Sequence, residues 1–358
     1  MLEFIDSILR GPFRHTMLGR MLQSLCGCLR RVRIKLGQSN GLGRSNGDRT
    51  LNWKILFVFG CFGFANSQAN SQWIQSLPSS TRESILWSAD HEEGDLSDWT
   101  FPASKDSGGG VLNTGEEDVH ASATKEFAHS SRYSARAFIS KAIRARNGNR
   151  AVRLMRWTDR PWDRDGKEFP HDAYYSTWMF IPKTYNPNKY PPWDPGDGGW
   201  WNVFQFKAHD ENDVSQPTWA LNIEHADKTK EMSFYLYSPI NPPRSFSQQK
   251  PKPIPVQRWF HIEARCKKSL KNEGSMTIWQ DGEQILDVKG INTLVSDKDD
   301  QVVWGIGNYT DHIAGGPVEG EATVYFDDSV VSTKPLSPFA KSKVTPQENA
   351  PKPTSVPK

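Results

Sequence analysis

A run of alternating residues from Trp201 to Ala208 offers the first chemistry in this sequence. Side chains along a β-strand point to opposite faces in turn, so Phe204, Phe206 and Ala208 fall on one side and Trp201, Val203, Gln205 and Lys207 on the other. The same reading of Trp219–Glu224 turns Trp219, Leu221 and Ile223 inward and leaves Asn222 and Glu224 outside. In Met232–Tyr237 it buries Met232, Phe234 and Leu236 and leaves Tyr235 and Tyr237 outside. These outward sets mix aromatic rings with amides and charges, which is what a sugar needs. The C–H face of a pyranose stacks on an indole or phenol ring, while its hydroxyls require fixed donors and acceptors. Any one of these residues also suits an ordinary solvated sheet face. The coincidence of Trp201, Gln205, Lys207, Tyr235 and Tyr237 favours a carbohydrate surface.

Other chemistries are weaker. Glycoside hydrolysis needs two carboxylates flanking the scissile bond, and the sequence offers only Glu224 and Glu263, the latter on Trp259–Cys266 with His261 and Arg265 beside it on the expected wet face. A metal is expected as structure, not as catalyst. Asp90, Glu92, Glu93 and Asp95 lie near the first strand and Asp327 and Asp328 near the last, so Asp90, Glu92 and Asp328 are candidate oxygen ligands for calcium. Asp194–Gly199 lacks the later glutamate of an EF-hand loop, and the histidines are too scattered for zinc. No organic cofactor is expected.

The elements that must hold these residues are strands. Short β-branched and aromatic runs separated by Gly, Pro, Asn and Asp dominate, from Ser84–Ala89 to Ala322–Val331, and Asp281-Gly282 is a strong hairpin signal between Met276–Gln280 and Gln284–Val288. Many short strands without interleaved helices predict an all-β antiparallel sandwich or barrel over residues 84–333. The 14 tryptophans in 358 residues, with 36% apolar composition, provide for a sizeable core.

The ends read differently. Residues 1–54 carry 10 basic and 3 acidic residues, so the remainder, with 34 basic and 38 acidic, is net −4 despite an overall +3. That balance excludes the basic surface of a nucleic-acid binder. Lys54 leads into an apolar run through Ala65, followed by small and polar residues, the layout of a secretory signal. The run is too short to span a bilayer, which takes about 20 residues. We therefore expect residues 51–69 to be a signal peptide and residues 1–50 an unstructured extension or a start called too early. The mature chain is expected to be secreted or periplasmic and monomeric, without a membrane span. Lipid anchoring through Cys61 is the alternative. Cys266 alone follows the expected cleavage, so no disulfide forms within the mature chain. Residues 334–358 are rich in Pro, Lys, Ser and Thr and read as a disordered tail.

Several segments resemble the jelly-roll polysaccharide lyases, particularly the alginate-lyase and heparin-lyase-I-like groups within the concanavalin-like fold. They are Asp90–Trp99, His129–Arg136, Tyr175–Pro182, Val203-Phe-Gln-Phe-Lys207, Gly307-Asn-Tyr-Thr-Asp311 and Val324–Val331. The resemblance implies a jelly-roll β-sandwich and β-elimination on an acidic, uronate-containing polysaccharide. A base takes the proton at C5 while donors neutralise the adjacent carboxylate, and an acid protonates the departing O4. Carried over residue by residue, it makes Tyr309 the base and acid. Gln205 and Arg153 become carboxylate neutralisers, and Lys207 a further cation beside the tyrosine. Asn308 joins Trp201, Asn222, Tyr235 and Tyr237 as a substrate-binding candidate. Lys207 stands where many of these lyases have histidine, and the glutamate that neighbours their arginine is absent. A non-catalytic carbohydrate-binding module, a glycoside hydrolase of the same fold and an adhesive surface protein are the alternatives.

Overall fold

The computed structural model of the chain describes residues 71–99, 110–113, 119–143, 149–157, 170–182, 200–209, 215–225, 231–240, 242–296, 303–314 and 318–340. The expected extension, signal peptide, Cys61 and the Asp194–Gly199 loop lie outside them, as does the tail beyond 340. Two short helices, α1 (Gln72–Ser76) and α2 (Ser79–Arg82), open the described chain. Fifteen strands follow: β1 (Ile85–Ala89), β2 (Gly110–Asn113), β3 (His120–Thr124), β4 (Ser134–Ile139), β5 (Arg150–Trp157), β6 (Asp172–Phe180), β7 (Trp201–His209) and β8 (Ser215–His225). The second half adds β9 (Met232–Ser238), β10 (Arg244–Ser247), β11 (Trp259–Lys267), β12 (Gly274–Gln280), β13 (Glu283–Ile291), β14 (Val303–Thr310) and β15 (Ala322–Ser332).

The strands form two antiparallel sheets, as the sequence predicts. One runs β13-β12-β11-β6-β15-β4-β3, with β1 also paired to β15; the other runs β10-β9-β8-β7-β14-β5-β2. Asp281 and Gly282 take φ of +51° and +73° in the β12–β13 turn, the left-handed pair that a two-residue hairpin demands. Inward residues of both sheets meet around Trp304, whose ring centroid lies 5.4 Å from Phe204, 5.5 Å from Tyr175 and 5.8 Å from Trp99.

The packed body extends past the expected 84–333 at both ends. Ile74 and Leu77 at the start and Leu336 near the end bury together with Val330. Trp73 of α1 packs at 5.5 Å from the His261 ring and 5.7 Å from Trp178. These segments cover the outer face of the eight-stranded sheet, so His261 and Glu263, expected on a wet face, are fully buried. Alternation reports which side a residue takes, but not what sequence-distant segments later lay over it. Burial drives His261 down to about 3, with His129 adding to the effect, so the ring stays neutral.

Glu263 accepts hydrogen bonds from Leu336 N (2.6 Å) and Ser337 N (3.2 Å), docking the segment after β15. Burial outweighs these donors and pushes its carboxyl up to about 7. With the folded value raised, the folded state holds this proton where the unfolded state has lost it. Its contribution is therefore present at low pH and disappears as pH rises from about 4.5 to above 7. Glu263→Gln should remove this dependence. The stability gap between variant and parent, read by urea unfolding, should move by about 3 kcal/mol between pH 4.5 and pH 8. The parent should lose ground as pH rises.

Candidate functional site

The outer face of the seven-stranded sheet carries the polar residues picked out above, and cross-strand register arranges them. One row crosses four strands: Tyr309 on β14 pairs with Asn202 on β7, Asn202 with Asn222 on β8, and Asn222 with Tyr235 on β9. Asn202 Nδ2 donates to Asn222 Oδ1 (3.0 Å), and Asn222 Nδ2 donates to the Tyr235 hydroxyl (3.0 Å). In the next row, Gly305 pairs with Gln205, Gln205 with Ala220, and Ala220 with Tyr237. Lys207 lies one step further along β7, opposite Val303. Strands are about 4.8 Å apart, a spacing comparable to a sugar ring.

Tyr309 is the most elaborately supported of these side chains. The Arg153 guanidinium carbon sits 4.2 Å from its ring centroid, and Trp200 packs edge-on at 4.8 Å. Asn149 Nδ2 donates to the tyrosine hydroxyl at 2.9 Å, which leaves that hydroxyl its own hydrogen for a ligand. Arg153 faces outward because it has the parity of Ala151 and Met155 on β5. Arg150 and Arg156, of the opposite parity, are buried, and Arg156 lies 5.5 Å from the Trp87 ring. Desolvation lowers Arg153, with Tyr309 opposing. Desolvation also lowers Lys207, and the charge of Arg153 adds to it, so the two cations share one patch. Among the described residues no carboxylate pairs with either. Gln205 Oε1 is buried there without a protein partner.

Two expected substrate ligands belong to the scaffold instead. Trp201 is fully buried and its Nε1 donates to Asn308 Oδ1 (2.7 Å). Asn308 is itself fully buried, and its Nδ2 donates to Ala137 O and Ala322 O in the other sheet (3.0 and 2.9 Å). For Trp201 the cause is a bulge at Val203: register shifts between Asn202 and Phe204 on β7, so strict alternation fails there. Asn308 has the parity of the inward Trp304 and Ile306 and pairs with the core residue Val152. Asn202 takes the outward place that alternation gives to Trp201. Gly305 and Gly307 are small because β5 fills the space beside them: a Cβ on Gly305 would collide with Met155 Sδ, and one on Gly307 with Val152 O.

Asn149, Trp200 and Asn202 were not singled out from sequence. The first two sit just outside strand ends, where periodicity carries no signal. Glu224 lies on the site face, whereas Glu263 lies on the covered face of the other sheet, so the two cannot act as a hydrolytic pair. At the β1–β15 junction Asp90 accepts from Ser71 N (2.9 Å) and Glu92 N (3.2 Å). Glu92 accepts from Arg132 N and Tyr133 N, and Asp328 from Ser130 Oγ, with His129 Nδ1 at 2.6 Å. Among the described residues no group of three or more His, Cys, Asp or Glu is arranged to hold a metal ion.

A family model described as polysaccharide lyase matches residues 91–330. The chain belongs to the polysaccharide lyase family. Among solved structures, this family member is similar to an endo-β-1,4-glucuronan lyase from the fungus Trichoderma reesei, at 15% identity and a TM-score of 0.50, over 70% of this chain and 96% of that one. It is also similar to an alginate lyase from Aplysia kurodai, at 12% identity and a TM-score of 0.40, over 70% and 99% of the two chains. At 15% identity the likeness to the glucuronan lyase speaks to the fold alone. A search of the curated proteins finds no match. No helix among the described residues of this polysaccharide lyase is long and apolar enough to cross a membrane.

Proposed function

We propose that this polysaccharide lyase cleaves a uronate-containing polymer by β-elimination on the outer face of its seven-stranded sheet. The carrying observation is the Arg153–Lys207 patch, two partly desolvated cations without a carboxylate partner among the described residues, beside Tyr309 and Gln205. A uronate carboxylate placed there is neutralised, which lets charge build on it as the C5 proton leaves. The Gln205 amide orients the sugar. The Tyr309 oxygen takes the proton from C5, the C4–O4 bond breaks as the C4–C5 double bond forms, and the same oxygen hands that proton to O4. Asn149 holds the tyrosine oxygen through both transfers. Incubation with a panel of uronate polymers should produce the ultraviolet absorbance of unsaturated uronate ends. Binding without that absorbance on every polymer would favour a non-catalytic carbohydrate module.

Export is part of this reading, since such polymers are extracellular. It rests on the Lys54–Ala65 run. N-terminal sequencing of secreted material should begin between Asn66 and Gln72, and recovery of the full-length chain inside the cell would count against it. Structural calcium at the β1–β15 junction is proposed on donor chemistry alone. Asp90, Glu92 and Asp328 are suitable oxygen ligands, but an ion would have to displace the hydrogen bonds they already accept.

A further inference from the structure

The site face divides into halves of unlike charge. On β5, β14 and β7 stand Arg153, Tyr309, Gln205 and Lys207. On β8 and β9 stand Asn222, Glu224, Tyr235 and Tyr237. Glu224 follows Asn222 by two residues, so both project from the same side of β8. Its carboxylate lies 3.5 Å from the hydroxyls of Ser233 and Ser247, at the outer limit of a hydrogen bond. Among the described residues no cation pairs with it. Burial raises its pKa, with those two hydroxyls opposing. A second uronate carboxylate brought onto this half would meet a like charge and, among the described residues, no donor cation. A neutral sugar would meet acceptors at Glu224 and Asn202, the phenol donor of Tyr235, and two rings on which to stack.

We infer that the subsite on β8 and β9 takes an uncharged sugar, and that Glu224 excludes a second carboxylate. The substrate is then a polymer in which uronate and neutral residues are mixed, not a homopolymer of uronate. This rests on the reading above only in placing a uronate at Arg153 and Lys207. Across-strand spacing supports the placement. Tyr309 and Asn222 lie two strand intervals apart, about 10 Å or two sugar spacings, which brings the second sugar from the cleaved residue onto Asn222 and Glu224.

The test uses the full chain carrying Tyr309→Phe, so that bound oligosaccharide survives, at pH 8. Calorimetry compares a pentasaccharide of uronate alone with one whose central residue is uronate and whose other four are neutral hexose. The mixed ligand should bind more tightly. Adding Glu224→Gln should narrow the ratio roughly two- to five-fold, the scale of a solvent-facing charge interaction, by strengthening the all-uronate ligand. Glu224→Lys should narrow it further or invert it. A ratio unmoved by both substitutions, or tighter binding of the all-uronate ligand at the outset, overturns the inference. Failure of the parent protein to turn over either polymer would strike the elimination chemistry, while these affinities still decide the subsite. Binding of neither ligand would overturn both.

Discussion

Tyr309→Phe should lower the lyase rate by about 100- to 10,000-fold, the range that one general acid–base group contributes. The substitution removes a single oxygen. It keeps the ring that Arg153 approaches to 4.2 Å and against which Trp200 packs. The hydroxyl's hydrogen bonds with Asn149 and Arg153 are lost from the resting protein, and Asn149 is exposed, so its amide can turn to water. Folding and substrate affinity should therefore hold while turnover collapses. Rate and melting temperature measured on the same preparation separate the two effects. A variant that keeps more than about a tenth of the parental rate, well short of that loss, would place the proton transfer elsewhere. Tyr235 would be the next residue to test.

The second large effect is on stability. Asn308→Ala should cost about 3–5 kcal/mol, because it strips partners from the Trp201 indole N–H and the carbonyls of Ala137 and Ala322, all buried. Each such group retains its desolvation penalty without its hydrogen bond. Asn308 also precedes Tyr309 at the β14 bulge, so its loss should loosen the register that aims the tyrosine outward. Urea unfolding measures the cost directly. A variant of parental stability that has lost its affinity for sugar would return Asn308 to the ligand-binding role and contradict its place in the scaffold.

Much of this architecture was legible in the sequence where alternation ran undisturbed. Met232, Phe234 and Leu236 turn inward as read, which leaves Tyr235 and Tyr237 on the site face, and the same holds for Trp219–Glu224. Arg153 separates from Arg150 and Arg156 by parity alone. What failed did so for three physical reasons. The bulge at Val203 shifts the phase within β7, and hydrophobicity does not report it: Trp201 looks as suitable for a sugar as for a core. Chain-distant covering segments bury His261 and Glu263. Asn149 and Trp200 act from loop positions, where no period constrains the reading. The facing of Gln205 and Lys207 came from the pattern, whereas their proximity to Arg153 and Tyr309 needed the β5-β14-β7 order, which resemblance could suggest and pattern could not.

The products of elimination differ from those of hydrolysis by one water molecule. Hydrolysis adds water across the glycosidic bond; elimination adds nothing and leaves a double bond on the new non-reducing end. Digestion of a susceptible uronate polymer in oxygen-18 water, quenched early and read by mass spectrometry, reports this directly. Unsaturated fragments whose masses sum to the parent chain, with no label introduced at cleavage, are the expected result. Saturated fragments carrying the heavy oxygen at each new reducing end would refute elimination.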